Sequence, residues 1–377
     1  MPLRSTGGGT VSEQESRTTV PIADPDTGSN ELERVRQVLD SGRLSGGETV
    51  EAFGSEFAEY CETAHGIPTS NGTTALHAAL VGLGIGEGDV VVTTPFSFIA
   101  TANAVRHVGA EPVFADIDSE TYNLDPDALA ATIAAHDGDV DAIVVVHLYG
   151  CPADMGRIRD IAARYDVPVV EDAAQAHGAE YDGTPVGGLG DVGCFSFYPT
   201  KNITTGEGGA VVTDRDDVAR RVAQFIDHGR GEDGAHETVG HNFRMSDVNA
   251  AIGRAQLEAL DEYVAIRRAT ARRYNAALSA STVRAPVEPK GRLHSYHQYT
   301  VRCEDRERFR RHLADRGIDT AVYYSDPIHE EPAYDDVTVS APAAERAADE
   351  VVSVPVHPTL SDTAVTRIET ALAEYQP

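Results

Sequence analysis

Lysine is almost missing from this chain: its 377 residues contain only Lys201 and Lys290, beside twenty-nine arginines. Cysteine is sparse as well. Cys61, Cys151, Cys194 and Cys303 stand far apart with no CxxC pair, a pattern that excludes a disulfide framework or a cysteine zinc site and fits reduced thiols. No apolar run approaches the length of a membrane span, and residues 1–20 are polar, without the apolar core of a secretory signal. A soluble, cytoplasmic protein with no membrane partner is therefore expected. A basic patch is missing too. Acidic residues outnumber basic ones by 60 to 31, for a formal charge of −29, and nucleic acid as a partner is set aside because phosphate backbones need clustered cations. Fourteen histidines include no HExxH, so catalytic zinc has no support and no metal is expected. The run Gly82-Leu83-Gly84-Ile85-Gly86-Glu87-Gly88 has the wrong spacing for a dinucleotide loop and follows a helical pattern rather than a strand; it reads as a turn. Asp116-Ile117-Asp118 reads as strand-end solvation rather than a calcium loop.

The excess acid is spread along the chain rather than gathered in a tail. Such self-repulsion opposes a compact state at low ionic strength and is screened by salt. With arginine replacing lysine, the composition points to a halophile. The length accommodates two unequal domains. Boundaries are expected at 1–20 for a mobile polar tail, 21–255 for a large domain and 256–377 for a smaller C-terminal one.

Helical periodicity covers Glu31–Ser41 and Thr49–Glu62, and a third helix follows Ser70-Asn71-Gly72-Thr73. Short apolar runs at Val90–Thr94, Pro112–Ala115, Ala142–Val146, Val167–Val170, Val192–Phe197 and Ala210–Thr213 read as strands. Strands alternating with helices predict an α/β fold with a mostly parallel mixed sheet flanked by helices. A long helix is expected over Ser246–Leu278. Beyond it, Ser295–Arg302, Glu304–Arg316, Thr320–Tyr324 and Thr363–Glu374 read strand, helix, strand, helix, a smaller α+β unit.

Three segments fall at strand-to-turn junctions, where α/β proteins bind ligands. Ser70-Asn71-Gly72-Thr73-Thr74 opens a helix whose first N–H groups and hydroxyls would suit a phosphate, although the same residues describe an ordinary cap. Val169-Val170-Glu171-Asp172 ends an apolar strand in carboxylates, which suits a protonated ring nitrogen or plain strand-end solvation. Ser196 to Lys201 places a lysine after a short apolar strand. Arginine would have supplied charge there, but only lysine can shed its proton and attack a carbonyl. An amine, a carboxylate for a pyridine nitrogen and a hydroxyl-lined phosphate cup are the requirements of pyridoxal 5'-phosphate. Phe98, in Pro95-Phe96-Ser97-Phe98-Ile99-Ala100-Thr101, suits stacking on the ring or core packing.

The chain resembles the DegT/DnrJ/StrS family of sugar aminotransferases, pyridoxal-phosphate enzymes of fold type I, from about Val20 to Gln376. The resemblance is carried by Gly72-Thr73-Thr74-Ala75-Leu76-His77, Thr94 to Thr101, Val146-His147-Leu148-Tyr149-Gly150, Glu171-Asp172-Ala173-Ala174-Gln175-Ala176-His177-Gly178, Phe195 to Gly209, and Gly240-His241-Asn242-Phe243-Arg244-Met245-Ser246. It implies that Lys201 forms the Schiff base and Asp172 holds the pyridine nitrogen. Phe98 would stack on the ring and Gln175 would lie near its hydroxyl edge. Thr73, the Thr74 backbone and Ser196 would hold the phosphate, with Asn242 completing that site from the other subunit of a homodimer. Some relatives carry histidine in place of Lys201 and act as dehydratases, so the lysine argues for transamination.

The resulting expectation is an aminotransferase that moves an amino group from L-glutamate to a nucleotide-linked keto-sugar in glycan biosynthesis. Arg230, Arg244 and His329 are candidate substrate contacts, each equally readable as a surface residue. Rival readings are a keto-cyclitol aminotransferase and a non-catalytic regulatory protein on the same fold. The second would be expected to carry a DNA-binding segment or a damaged cofactor site, and neither is visible here.

Overall fold

The computed structural model describes residues 19–376. The polar tail expected over 1–20 lies outside the described residues except for its last two positions. Of these, Val20 is buried and bridges in parallel to Ile318.

Seven strands form the central sheet: β1 (His65–Thr69), β2 (Val90–Thr93), β3 (Glu111–Phe114), β4 (Ala142–Val146), β5 (Val169–Asp172), β8 (Val192–Ser196) and β9 (Gly209–Thr213). Between β5 and β8 come two short strands, β6 (Glu180–Tyr181) and β7 (Thr184–Pro185). The sheet order is β1-β9-β8-β5-β4-β2-β3. Only β9 runs against its neighbours, pairing antiparallel with both β1 and β8. All the other strands therefore point their carboxyl ends to one edge. That edge carries the site.

Each central strand is apolar on both faces because helices cover both. Phe195 and Phe197 point to one side of β8 and its following turn, edge-on to Phe57 at 4.8 and 5.1 Å between ring centroids. Ser196, one residue out of phase, necessarily faces the other way. The same alternation in β5 separates Glu171 from Asp172. Glu171 is fully buried beneath the sheet, where it accepts the N–H groups of Gly187, Leu189 and Gly190 and pairs with His147. His147 Nδ1 accepts the Ala153 N–H at 3.0 Å, so its proton sits on Nε2 and is donated to Glu171.

The helices around the sheet begin with α1 (Ser29–Ser41), α2 (Glu48–Tyr60) and α3 (Gly72–Leu83). The sequence did not announce α4 (Ala100–His107), α5 (Pro126–Ala135), α6 (Met155–Tyr165) or α7 (Asp216–Ile226) individually. Helix α8 (Asp247–Leu278) runs unbroken for 32 residues through the boundary expected at 255/256. Its Leu260 and Val264 pack in the core beneath the sheet, whereas Ala271, Tyr274 and Leu278 join a second core with Tyr299, Phe309 and Val354. One helix thus serves both cores.

The C-terminal part contains β10 (Arg292–Leu293), β11 (Tyr299–Arg302), α9 (Arg306–Ala314), α10 (Pro342–Glu350), β12 (Val351–Val354) and α11 (Asp362–Glu374). Two expected strands are shorter than their patterns. Residues 295–298 leave the ladder because Ser295 and Gln298 donate their N–H groups to Gly150 and Tyr149 instead. The run Thr320–Tyr324 makes only an isolated bridge, Ala321 to Ser353, before turning toward the main sheet. Asp116 also has a structural assignment: its carboxylate accepts the Ala343 and Ala344 N–H groups at the start of α10.

Candidate active site

A cavity of about 740 Å³ opens at the carboxyl edge of the sheet, lined by residues 70–74, Phe98, Thr101, Tyr149, Asp172, Gln175, Ser196, Lys201, Gln298 and Tyr324 among others. Asp172 ends β5, and Lys201 follows the adjacent β8 through a turn closed by its N–H to Tyr198 C=O. Burial pushes the Lys201 amine down to about 8, against the pull of Asp172. Burial likewise raises the Asp172 carboxyl, opposed by hydrogen bonds from Thr101 Oγ1 at 2.7 Å and Ala174 N–H at 3.2 Å. Among the described residues no arginine or histidine forms an ion pair with Asp172. A buried carboxylate with no ion-paired arginine or histidine is a seat for a protonated ligand.

The anion cup is built from three parts. Helix α3 presents the Gly72 and Thr73 N–H groups at its start. Asn71 caps it, its Oδ1 accepting the Thr74 N–H at 2.9 Å while Thr74 Oγ1 receives the Asn71 N–H at 3.1 Å. The Thr74 N–H is thereby engaged in the cap, which leaves the cup to Gly72 and Thr73 N–H and the hydroxyls of Thr73 and Ser196. Gly72 is required because a Cβ there would lie 2.7 Å from Ser196 Cβ. Glycine alone lets the serine reach the helix end.

Phe98 stands over the cavity rather than in the core, with 60% of its surface exposed although it is a large apolar ring. Gln175 also lines the cavity, its Oε1 accepting the Tyr149 N–H at 2.8 Å and its Nε2 donating to the Tyr324 hydroxyl. Lys201, Asp172, Thr73, Thr74, Phe98, Gln175 and Ser196 therefore share one cavity.

Four other candidates lie outside it. Asn242 is exposed, its backbone bridged to Asp227. Arg230 and Arg244 both pair with the Asp227 carboxylate, Arg230 at 3.2 Å; one aspartate offsets only one of these two charges. His329 is held in the short turn Ile328–Glu330 with its side chain 7% exposed and its Nε2 3.6 Å from Glu345. Conversely, Thr101 belonged to a recognised motif without receiving a role. Tyr149, His297, Gln298 and Tyr324 reach the cavity only through the tertiary fold.

The DegT/DnrJ/EryC1/StrS aminotransferase family matches residues 25–373. The chain belongs to that family. It is 40% identical over 346 residues to dTDP-3-amino-3,4,6-trideoxy-alpha-D-glucose transaminase of Streptomyces venezuelae, covering 90% of each chain. It is 38% identical over 335 residues to UDP-2-acetamido-2-deoxy-3-oxo-D-glucuronate aminotransferase of Pseudomonas aeruginosa, covering 89% of this chain and 92% of the relative. The crystal structure of S. venezuelae DesV in complex with a ketimine intermediate superposes with a TM-score of 0.88 at 40% identity, covering 91% of this chain and 93% of the other.

This DegT/DnrJ/EryC1/StrS family member is a pyridoxal-phosphate-dependent aminotransferase. The residues present fit the cofactor: a neutralisable amine, a buried carboxylate, an exposed aromatic ring and a glycine-opened cup converge on one cavity.

Proposed function

We propose that this aminotransferase works in the cytoplasm as a homodimer with shared active sites, moving the amino group of L-glutamate to a nucleotide-linked keto-sugar. The overall exchange balances as glutamate plus keto-sugar giving 2-oxoglutarate plus amino-sugar. The observation that carries the reading is Lys201 and Asp172 at the carboxyl ends of adjacent parallel strands, in one cavity and in a chain matched to this family over residues 25–373. The nucleotide-sugar part rests on the relatives from S. venezuelae and P. aeruginosa, named for dTDP and UDP sugars.

Pyridoxal phosphate, when bound, supplies a carbonyl for the amine and an electron sink for charge on the adjacent carbon. The protein's own groups do the rest. Asp172 keeps a proton on the ring nitrogen, its orientation held by Thr101 and Ala174. Thr73 and Ser196 bind the phosphate, and Phe98 covers one ring face and excludes water. Lys201 takes the proton from the amine-bearing carbon and returns it on the other side of the exchange. Its depressed proton affinity suits it to this work near neutral pH.

Among the described residues Lys201 is the one arginine or lysine that lines the cavity, whereas Asp172 and Glu207 are acidic. A sugar diphosphate therefore needs positive charge from outside this cavity. The exposed position of Asn242, with Arg230 and Arg244 on the same excursion, suits donation to the partner subunit's site. Purified protein in molar KCl with pyridoxal phosphate and glutamate would be incubated with dTDP-, UDP- and GDP-linked 3- and 4-keto-sugars. Formation of 2-oxoglutarate matched one for one by an amino-sugar nucleotide in mass spectra is expected. Turnover with a keto-cyclitol and with none of the nucleotides would reject the substrate class.

A further inference from the structure

Gln175 has an amide whose direction is dictated by its neighbours. The Tyr149 backbone N–H can only donate, so the atom it meets at 2.8 Å must be the carbonyl oxygen Oε1. The N–H is aimed this way because Tyr149 adopts φ 58°, a left-handed conformation unusual for a bulky residue, in the turn after β4. The amide nitrogen is thereby turned to the Tyr324 hydroxyl and donates to it. An NH2 group has two hydrogens; one is used by Tyr324, and the other remains for the cavity that Gln175 lines.

Tyr324 is itself immobilised. It is buried, its ring lies edge-on to Phe96 at 5.6 Å, and it packs beside Tyr149 at 5.9 Å. Burial raises its phenol well above the ordinary tyrosine range, so it stays protonated and neutral. Its backbone arrives from the C-terminal core, where Ala321 and Ser353 exchange both backbone hydrogen bonds. The Gln175–Tyr324 bond therefore joins the sheet edge to the C-terminal segment across the cavity.

We infer that Tyr324 is a positioning residue that acts through Gln175, locking its amide so that one N–H faces the ring-hydroxyl edge of the cofactor. This rests on the cofactor reading above, in which Gln175 borders that edge. Without the Tyr324 oxygen the amide keeps its Tyr149 contact but loses the partner that fixes its nitrogen. The Tyr324 ring is not the operative part; its oxygen is.

The test titrates pyridoxal phosphate into the full-length apoprotein in molar KCl, following visible absorbance, for wild type, Tyr324→Phe, Gln175→Ala and the double variant. Phenylalanine keeps the packing against Phe96 and Tyr149. Tyr324→Phe is expected to weaken cofactor binding roughly two- to tenfold, the worth of one neutral hydrogen bond, with unchanged circular dichroism and urea midpoint. It is also expected to shift the pH midpoint of the visible band, which a merely structural residue would leave in place. Added to Gln175→Ala, the same substitution should have no further effect on binding. Wild-type affinity in Tyr324→Phe, or an equal loss in both backgrounds, would overturn the inference. A wild-type protein that binds no pyridoxal phosphate would instead bring down the cofactor reading beneath it.

Discussion

The Thr101 hydroxyl donates to Asp172 Oδ2 at 2.7 Å, and Ser97 Oγ lies 2.9 Å behind it. An ionised carboxylate only accepts, so Thr101 must be the donor in the first bond, and its own lone pairs are left for the Ser97 hydroxyl. The N-terminal turn of α4 thus supports Asp172, the carboxylate proposed to hold the cofactor's ring nitrogen. Thr101→Val removes the bond without changing side-chain shape. A hydrogen bond to a charged group is worth about 1.5–3 kcal/mol, so pyridoxal-phosphate affinity should fall roughly ten- to hundredfold. Thr101→Ser should keep most of it. Absorbance titration of the two variants checks this, and equal affinities would count against the role.

Lys201 reaches about 8 because burial penalises its charged form. Only the neutral amine attacks a carbonyl. The rate at which apoprotein captures pyridoxal phosphate should therefore rise about tenfold per pH unit below 8 and level off above it. Stopped-flow absorbance from pH 6 to about 10 measures the profile, with Lys201→Ala, expected to form no visible band, as the blank. A rate that goes on rising through pH 8 to about 10 without levelling off would show that the amine is not depressed.

Three imidazoles are buried near the site. Burial holds His177 and His294 down to about 3, and it places His297 well below the ordinary histidine range. The unfolded chain takes up protons on these groups below about pH 6.5, but the native state does not. Stability is therefore complete above that pH and lost as pH falls toward 3, by about 1.4 kcal/mol per pH unit for each histidine. Urea midpoints at fixed salt between pH 7 and about 4 should show the slope. His177→Leu should make it shallower; an unchanged slope would exclude this residue as a source.

The formal charge of −29 sets the fourth expectation. That figure already counts every arginine, including those paired on exposed helix faces, such as Arg36 with Glu33 and Asp40. Molar KCl reduces the screening length to about 3 Å, and the thermal midpoint should climb with salt. A change of 1 kcal/mol corresponds to roughly 2–4 °C for a domain of this scale. Equal midpoints in dilute buffer and molar KCl would reject the halophile reading.

Most of the central cavity was legible from local sequence, because its walls are strand ends and the turns that follow them. Asp172, Ser196 and Lys201 sit on or just after apolar strands whose length and alternation are themselves local properties. Thr73 and Gly72 could be placed because helix caps have their own chemistry. The face on which Glu171 would fall was open until the register of β5 was known; an alternating strand then necessarily sends it beneath the sheet, to His147.

The remaining wall was decided by tertiary structure alone. Tyr324 lies 149 residues after Gln175, and only the return of the C-terminal segment to the main sheet brings their polar atoms together. Gln298 likewise enters the cavity because its segment leaves β11 to bond the Tyr149 turn. Sequence alone determined the alternation of sheet and helix, and it offered Lys201, Asp172 and residues 70–74 as candidates for an amine, its acidic partner and a phosphate cup, since these lie in contiguous segments at strand and helix ends. Tertiary structure decided which arginines pair with Asp227, how one long helix serves two cores, and which tyrosine bonds Gln175. Those outcomes depend on pairings between distant segments, and no local pattern encodes the distance between them.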